Sequence, residues 1–203
     1  AAGLSGYLQE RHGMYLNGLL LVVIGNEVRV VATDGHRLAY ASEQIEEAQS
    51  RTEVILPRKT ILELSRLLSD NDDVLDIRLS PNQAQFRFGD IELVSKLIDG
   101  KFPDYERVIP QSHNKVITLP RTMLLQSLHR AAILTNEKFR GVRLVLAPGS
   151  MKIISNNADQ EEAQEEIEIS YDAEALDIGF NVTYLLDVLN NVSIENVEIR
   201  LAD

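Results

Sequence analysis

The chain carries one pattern twice. Residues 18–34 read GLLLVVIGNEVRVVATD and residues 141–157 read GVRLVLAPGSMKIISNN, and the two align without a gap at an offset of 123 residues. Gly18 meets Gly141, Leu21 meets Leu144, and the run VRVV at 28–31 meets MKII at 151–154. Self-similarity over such a distance constrains architecture more than any local propensity, because each copy must fold as its own supersecondary unit. Each copy reads as two strands around a tight turn, Gly25-Asn26-Glu27 in the first and Pro148-Gly149-Ser150 in the second, both made of turn-forming residues.

The repeat continues past these hairpins. A helix is expected over residues 57–68, where Ile61, Leu64 and Leu68 recur at helical spacing and Pro57 suits the first turn. Its counterpart is expected over residues 181–191, with Val182, Leu185, Leu186 and Leu189 as the apolar stripe and Asn181 as the cap. Strands are expected over 75–79, 84–88 and 91–97. A further helix over 120–134 opens the second copy, and its counterpart in the first copy falls on residues 4–10. The fold class is therefore α+β, with repeated helix–β-hairpin–helix–β-hairpin units that place helices on one face of antiparallel sheets. The expected domains are residues 1–114 and 115–203, divided in the polar stretch QSHNK, and both ends read as cut, leaving about one and three-quarter copies.

Composition excludes several function classes. The 203 residues allow one large or two small domains. Aromatics make up 5% and there is no Trp, which argues against a stacking platform for single strands. The absence of Cys excludes disulfides and thiolate metal sites and suits a reducing cytoplasm. The longest apolar run, residues 19–24, is strand-sized, no membrane span is expected, and residues 1–6 lack the charged start of a signal peptide. The net charge of −11 argues against nucleic-acid contact over the whole surface, but a polyanion senses only the face turned toward it.

Cations do gather on helix faces. Lys59 and Arg66 lie seven residues apart, opposite the apolar stripe of their helix, with Arg58 beside them. Arg121 and Arg130 stand off the stripe of Leu124, Leu128 and Ala131. Spacing alone reads these as ordinary solvated side chains. Asp34-Gly35-His36 resembles an acid–base pair or metal ligands, but His12, His36, His113 and His129 are scattered without ligand spacing. No phosphate loop, dinucleotide fingerprint or nucleophile motif occurs. No catalytic residue, metal or cofactor is expected.

Longer segments carry a resemblance. VVATDGHRLAY (30–40), SKLIDGKFPDYERVIP (95–110), ILTNEKFRGVRL (133–144) and IGFNVTYLLDVLNN (178–191) resemble the bacterial DNA polymerase III β subunit, and the likeness runs from about Tyr15 to Asp203. The resemblance implies the DNA clamp fold, with the middle domain and most of the third domain of a three-domain chain. Two such chains join head to tail into a cytoplasmic ring that encircles duplex DNA without reading its sequence and catalyses nothing.

The resemblance also implies three sets of site residues. Tyr15, Arg58, Lys59, Arg66, Arg121 and Arg130 would face DNA. Leu16, Thr33, Gly35, His36, Arg37, Leu38, Pro103, Arg107 and Val108 would form a pocket for the apolar anchors of a linear motif, carried by the polymerase α subunit, the clamp loader and other partners. Ile133, Leu134, Phe139, Gln160, Glu161, Glu162 and Glu165 would meet a basic surface of the other chain in the homodimer. The alternative is a peptide-binding adaptor that shares the pocket and never encircles DNA, which needs no basic helix face.

Overall fold

Residues 18–68, 73–136 and 138–202 are described by the computed structural model. Leu16, Tyr15 and the helix expected over 4–10 lie outside them. The chain divides into two compact units, Ala1–Ile109 and Pro110–Asp203. The division falls ahead of the QSHNK stretch, which leads into the first strand of the second unit.

In the first unit, β1 (Gly18–Thr33) and β2 (Leu38–Pro57) pair antiparallel, from Gly18 opposite Pro57 to Thr33 opposite Leu38. The expected turn at residues 25–27 is an irregularity inside β1. The register with β2 shifts on both sides of Gly25, which takes a φ of +55°, a backbone state that glycine reaches at little cost. The Asn26 side-chain amide donates to the Ile45 and Glu46 carbonyls there. Leu20 and Val22 from one side of this break and Val31 from the other share one buried cluster with Ile55 and Tyr105. A straight strand, rising about 3.3 Å per residue, would hold Leu20 and Val31 far apart.

Gly18 lets β1 and β2 come close. A Cβ there would meet the Ile55 side chain at 2.7 Å and the Leu56 carbonyl oxygen at 2.8 Å, so only glycine lets the strands approach this closely. The helix α1 (Arg58–Leu68) follows β2 directly and buries Ile61 and Leu64 on one side, the stripe that its periodicity dictates. The strands β3 (Asp76–Leu79), β4 (Gln83–Phe88) and β5 (Ile91–Lys96) make a second antiparallel sheet. Ala84, Phe86 and Phe88 alternate inward from β4 to join Leu19, Leu21, Leu56, Ile61 and Leu64 in a second buried cluster. The short helix α2 (Tyr105–Val108) closes the unit, with Tyr105 buried.

In the second unit, β6 (Lys115–Pro120) leads into α3 (Arg121–Ala132). The strands β7 (Gly141–Ala147) and β8 (Ser150–Asn156) form the expected hairpin, with Ala147 opposite Ser150. Pro148 and Gly149 make its turn, and Gly149 takes the φ of +78° that a type II turn requires. The strands β9 (Glu162–Glu168) and β10 (Leu176–Asn181) complete a sheet in the order β10-β7-β8-β9. Asn181 caps α4 (Val182–Asn190) as its position predicts, accepting from the Thr183 amide at 2.9 Å. The last strand, β11 (Asn196–Leu201), pairs with β6.

One face of the four-stranded sheet carries Val142, Leu144, Leu146, Met151, Ile153 and Ile167 into the same buried cluster as Leu124, Leu128, Leu186 and Leu189 of the two helices. The opposite face carries Arg143, Lys152 and Glu166, and Arg143 pairs there with Asp177. Each of the buried clusters lies within a single unit.

A cavity of about 680 Å³ in the first unit is lined by Val23, Val28, Ile45, Leu75, Ile77 and neighbours. Among the described residues no helix is long and apolar enough to cross a membrane.

Candidate functional site

The turn between β1 and β2 is built by two side chains. Asp34 accepts from the His36 amide at 2.9 Å and the Arg37 amide at 3.0 Å through one oxygen, and from Arg37 Nε at 3.2 Å through the other. The Thr33 hydroxyl donates to the Arg37 carbonyl at 2.8 Å and accepts from the Gly35 amide at 3.2 Å. Gly35 adopts φ +85° with open space where a Cβ would stand, so backbone conformation, not crowding, calls for glycine. Partial burial pushes the Asp34 carboxyl up. The two amides and the Arg37 guanidinium outweigh that effect and hold it below the usual carboxylate range. Asp34, a rival acid–base candidate in the sequence, is thus the residue that shapes the turn and presents His36 and Gly35 outward.

The second segment of the expected pocket is α2 and the residues before it. The Ile109 amide donates to the Tyr105 carbonyl at 3.0 Å, and Arg107 pairs with Asp104 at 3.1 Å. Pro103, Arg107 and Val108 are exposed, Val108 at 60%. The turn and this segment share a foundation, because Leu38, Phe102, Tyr105 and Ile109 belong to one apolar cluster. The Tyr40 and Tyr105 rings lie 5.9 Å apart. Through this cluster the turn that carries Thr33, Gly35, His36, Arg37 and Leu38 is joined to the segment that carries Pro103, Arg107 and Val108. The 680 Å³ cavity contains none of them.

Sequence reasoning missed the side chain that ties the two segments. Arg29 of β1 donates from one terminal nitrogen to the Tyr105 hydroxyl and to Glu106, each at 3.2 Å, and from Nε to Glu27 at 3.1 Å. Tyr40 donates to the same Glu27 at 3.4 Å. The hydrogen bond from Arg29 lowers the Glu27 carboxyl below its ordinary range, and the bond to Glu27 raises the guanidinium in turn. No local pattern marks such a contact across 76 residues.

The basic helix faces divide. On α1, Lys59 is exposed, and Arg58 is half-buried with its Nε without a hydrogen-bond partner. Arg66 pairs with Glu63 one turn back at 2.7 Å. On α3 both expected cations have partners within the unit. Arg121 donates to the Leu189 carbonyl at 3.0 Å, in the last turn of α4, and to the Ile194 carbonyl at 3.1 Å, in the loop that follows. Arg130 donates to Ser127 at 3.2 Å and to Glu165 at 2.9 Å. Arg121 and Arg130 thus each have partners within the second unit, and Arg130 stays exposed.

The residues expected at the chain-to-chain interface are largely on the surface. Ile133 is 80% and Phe139 61% exposed, and Leu134 is half-buried. Gln160 takes φ +63° in a turn organised by Asn157, whose side-chain oxygen accepts from the Asp159 and Glu161 amides. Glu162 and Glu165 lie on β9, which ends the sheet order and pairs with β8 on one side. An edge strand dense in Glu resists pairing with a like edge. Among the described residues no group of three or more His, Asp or Glu is placed to hold a metal ion.

The chain is similar to known proteins over nearly its whole length. The family model described as DNA polymerase III beta subunit, central domain, matches residues 7–104, and the corresponding C-terminal domain model matches residues 106–203. The chain is 50% identical over 190 residues to the beta sliding clamp of Pseudomonas putida, covering 93% of this chain and 52% of that protein. It is 47% identical over 189 residues to the beta sliding clamp of Escherichia coli K12, with the same coverage of 93% and 52%. The crystal structure of the DNA polymerase III subunit beta from Pseudomonas aeruginosa superposes with a TM-score of 0.92 at 47% identity, covering 98% of this chain and 55% of that one. The chain thus spans about half the length of the curated relatives it matches.

Proposed function

This chain belongs to the DNA polymerase III beta subunit family, the bacterial beta sliding clamps, and on that premise we propose that it works as part of a processivity factor. The protein encircles duplex DNA and tethers the replicative polymerase α subunit, the clamp loader and other partners through the surface around residues 33–38 and 103–108. It catalyses nothing, needs no cofactor and acts in the bacterial cytoplasm as a head-to-tail homodimer. The observation that carries the reading is the matching of both clamp domain models in succession over nearly the whole chain.

The physical logic is topological. A closed ring cannot leave a circular duplex, so long residence needs no tight grip, and tight phosphate binding would oppose sliding. The net charge of −11 suits a protein that touches DNA through a few cations and repels it elsewhere. Arg58 and Lys59 on α1 are the best candidates for that contact. On the partner side, the Asp34-built turn and the exposed Val108 offer apolar surface rimmed by Arg37 and Arg107. A Pseudomonas aeruginosa sliding clamp has been solved bound to griselimycin, so a member of the family takes up a ligand.

The test is retention on DNA. Loaded on a circular duplex, the protein is expected to survive gel filtration with the DNA and to be shed once the circle is cut. Equal loss from circular and linear DNA would refute encirclement and favour the adaptor.

A further inference from the structure

The part of the candidate partner site formed by residues 103–108 rests on a four-residue helix. An isolated helical turn has almost no stability of its own, because nucleation fixes several residues for a single hydrogen bond. At the two ends of α2 the Arg107 amide donates to the Asp104 carbonyl at 3.3 Å and the Ile109 amide to the Tyr105 carbonyl at 3.0 Å. Its orientation must come from outside, and two anchors are visible. One is the Tyr105 ring, 4% exposed in the cluster with Leu20, Val22, Val31 and Ile55. The other is Arg29, which reaches consecutive residues of the helix, Tyr105 at its hydroxyl and Glu106 at its carboxylate.

The Arg29 side chain is itself held. Glu27, two residues earlier on the same strand, receives its Nε and its second terminal nitrogen at 3.1 and 3.3 Å. The side chain is 22% exposed, and its guanidinium makes four donor contacts to three residues. A lysine, with a point charge on a flexible stem, cannot divide itself in this way. The repeat supplies an internal comparison. The counterpart of Arg29 at the same offset is Lys152 of β8.

We infer that Arg29 is the positioning residue of the partner site: it locks the side of α2 that carries Arg107 and Val108 against the β1–β2 framework that carries the 33–38 turn, and so presets the spacing of the two halves for a ligand with apolar anchors. This rests on the reading of that surface as the partner-binding site. Arg29 itself touches no ligand; its effect is preorganisation, which spares the ordering cost on binding.

The test uses the full chain with griselimycin as the probe. For Arg29→Ala, amide hydrogen exchange at Arg107 and Ile109 is expected to quicken at least tenfold, with exchange in β7 and β8 unchanged, and griselimycin affinity is expected to fall about tenfold. Arg29→Lys is expected to fall between wild type and alanine in both readouts. Val108→Ala is the control for direct contact. If Val108→Ala weakens binding and Arg29→Ala does not, the positioning role is wrong and the site reading stands. If neither variant alters binding, both are wrong. Unchanged exchange at Arg107 and Ile109 in Arg29→Ala overturns the positioning role whatever the affinities show.

Discussion

Arg130 of α3 donates to the carboxylate of Glu165 on β9 at 2.9 Å. The two residues come from surfaces that the clamp resemblance assigns to different tasks, one facing DNA and one facing the other chain. Their contact joins the tasks. A guanidinium already hydrogen-bonded to a carboxylate offers a phosphate little net charge, and an exposed pair of this kind contributes little to stability.

Releasing Arg130 should therefore increase DNA contact. Glu165→Gln is expected to steepen the dependence of duplex affinity on salt by about one phosphate contact, while Arg130→Ala leaves the slope near that of wild type. Fluorescence anisotropy at stepped salt reads both slopes, and a flatter slope for Arg130→Ala would show that Arg130 meets phosphate despite its partner.

Alanine at Arg58 and Lys59 together should reduce the same slope by roughly one to two and leave the melting temperature within a few degrees. Arg121→Ala should do the reverse. It strips the Leu189 carbonyl at the end of α4 and the Ile194 carbonyl in the loop after it of their donor, at a cost of about 1–3 kcal/mol, and leaves the salt slope unchanged. Thermal melting beside anisotropy distinguishes a contact cation from a capping one.

Asp34 sets a pH limit on the turn. Its folded carboxyl lies below the ordinary value, so its stabilising contribution is complete above the unfolded pKa of about 3.9 and is lost as pH falls through the lower folded value. Urea midpoints of wild type and Asp34→Ala should differ by a constant amount between pH 6 and 8 and converge below about pH 4. A gap that persists at pH 2 would place the stabilisation in packing and not in the carboxylate.

The paired glycines Gly18 and Gly141 should not respond alike to alanine. At Gly18 the added carbon meets a backbone oxygen at 2.8 Å and the packed Ile55 side chain at 2.7 Å, and the cost is expected at about 2–3 kcal/mol. At Gly141 it meets only the Phe139 ring, at 3.0 Å, and that ring is largely exposed and can swing away. Chemical denaturation of the two variants should differ by more than about 1 kcal/mol.

What the sequence disclosed was local and periodic. The stripes of α1 and α4 placed both helices within a residue of their observed starts, and Asn181 announced its capping role. The repeat carried the turn at Pro148 and Gly149 faithfully, but at Gly25 it missed that the pairing with β2 runs on past the irregularity. The stripe of α3 named its buried face through Leu124, Leu128 and Ala131. It said nothing of what stands beside the remaining positions, so Arg121 and Arg130 read as free until α4 and β9 were seen to meet them. The Arg29 tie to Tyr105 left no sequence trace, because a side-chain contact between distant strands imposes no spacing on either.

Confinement of every buried cluster to one unit bears on how the chain is made. Tandem repeats of like strand order invite strands of one copy to pair with the other. Here the last member of the first unit's clusters, Ile109, leaves the ribosome before the first member of the second unit's cluster, Ile117. Translation thus sets the order of collapse, and the first copy can sequester its own strands before a rival set is synthesised.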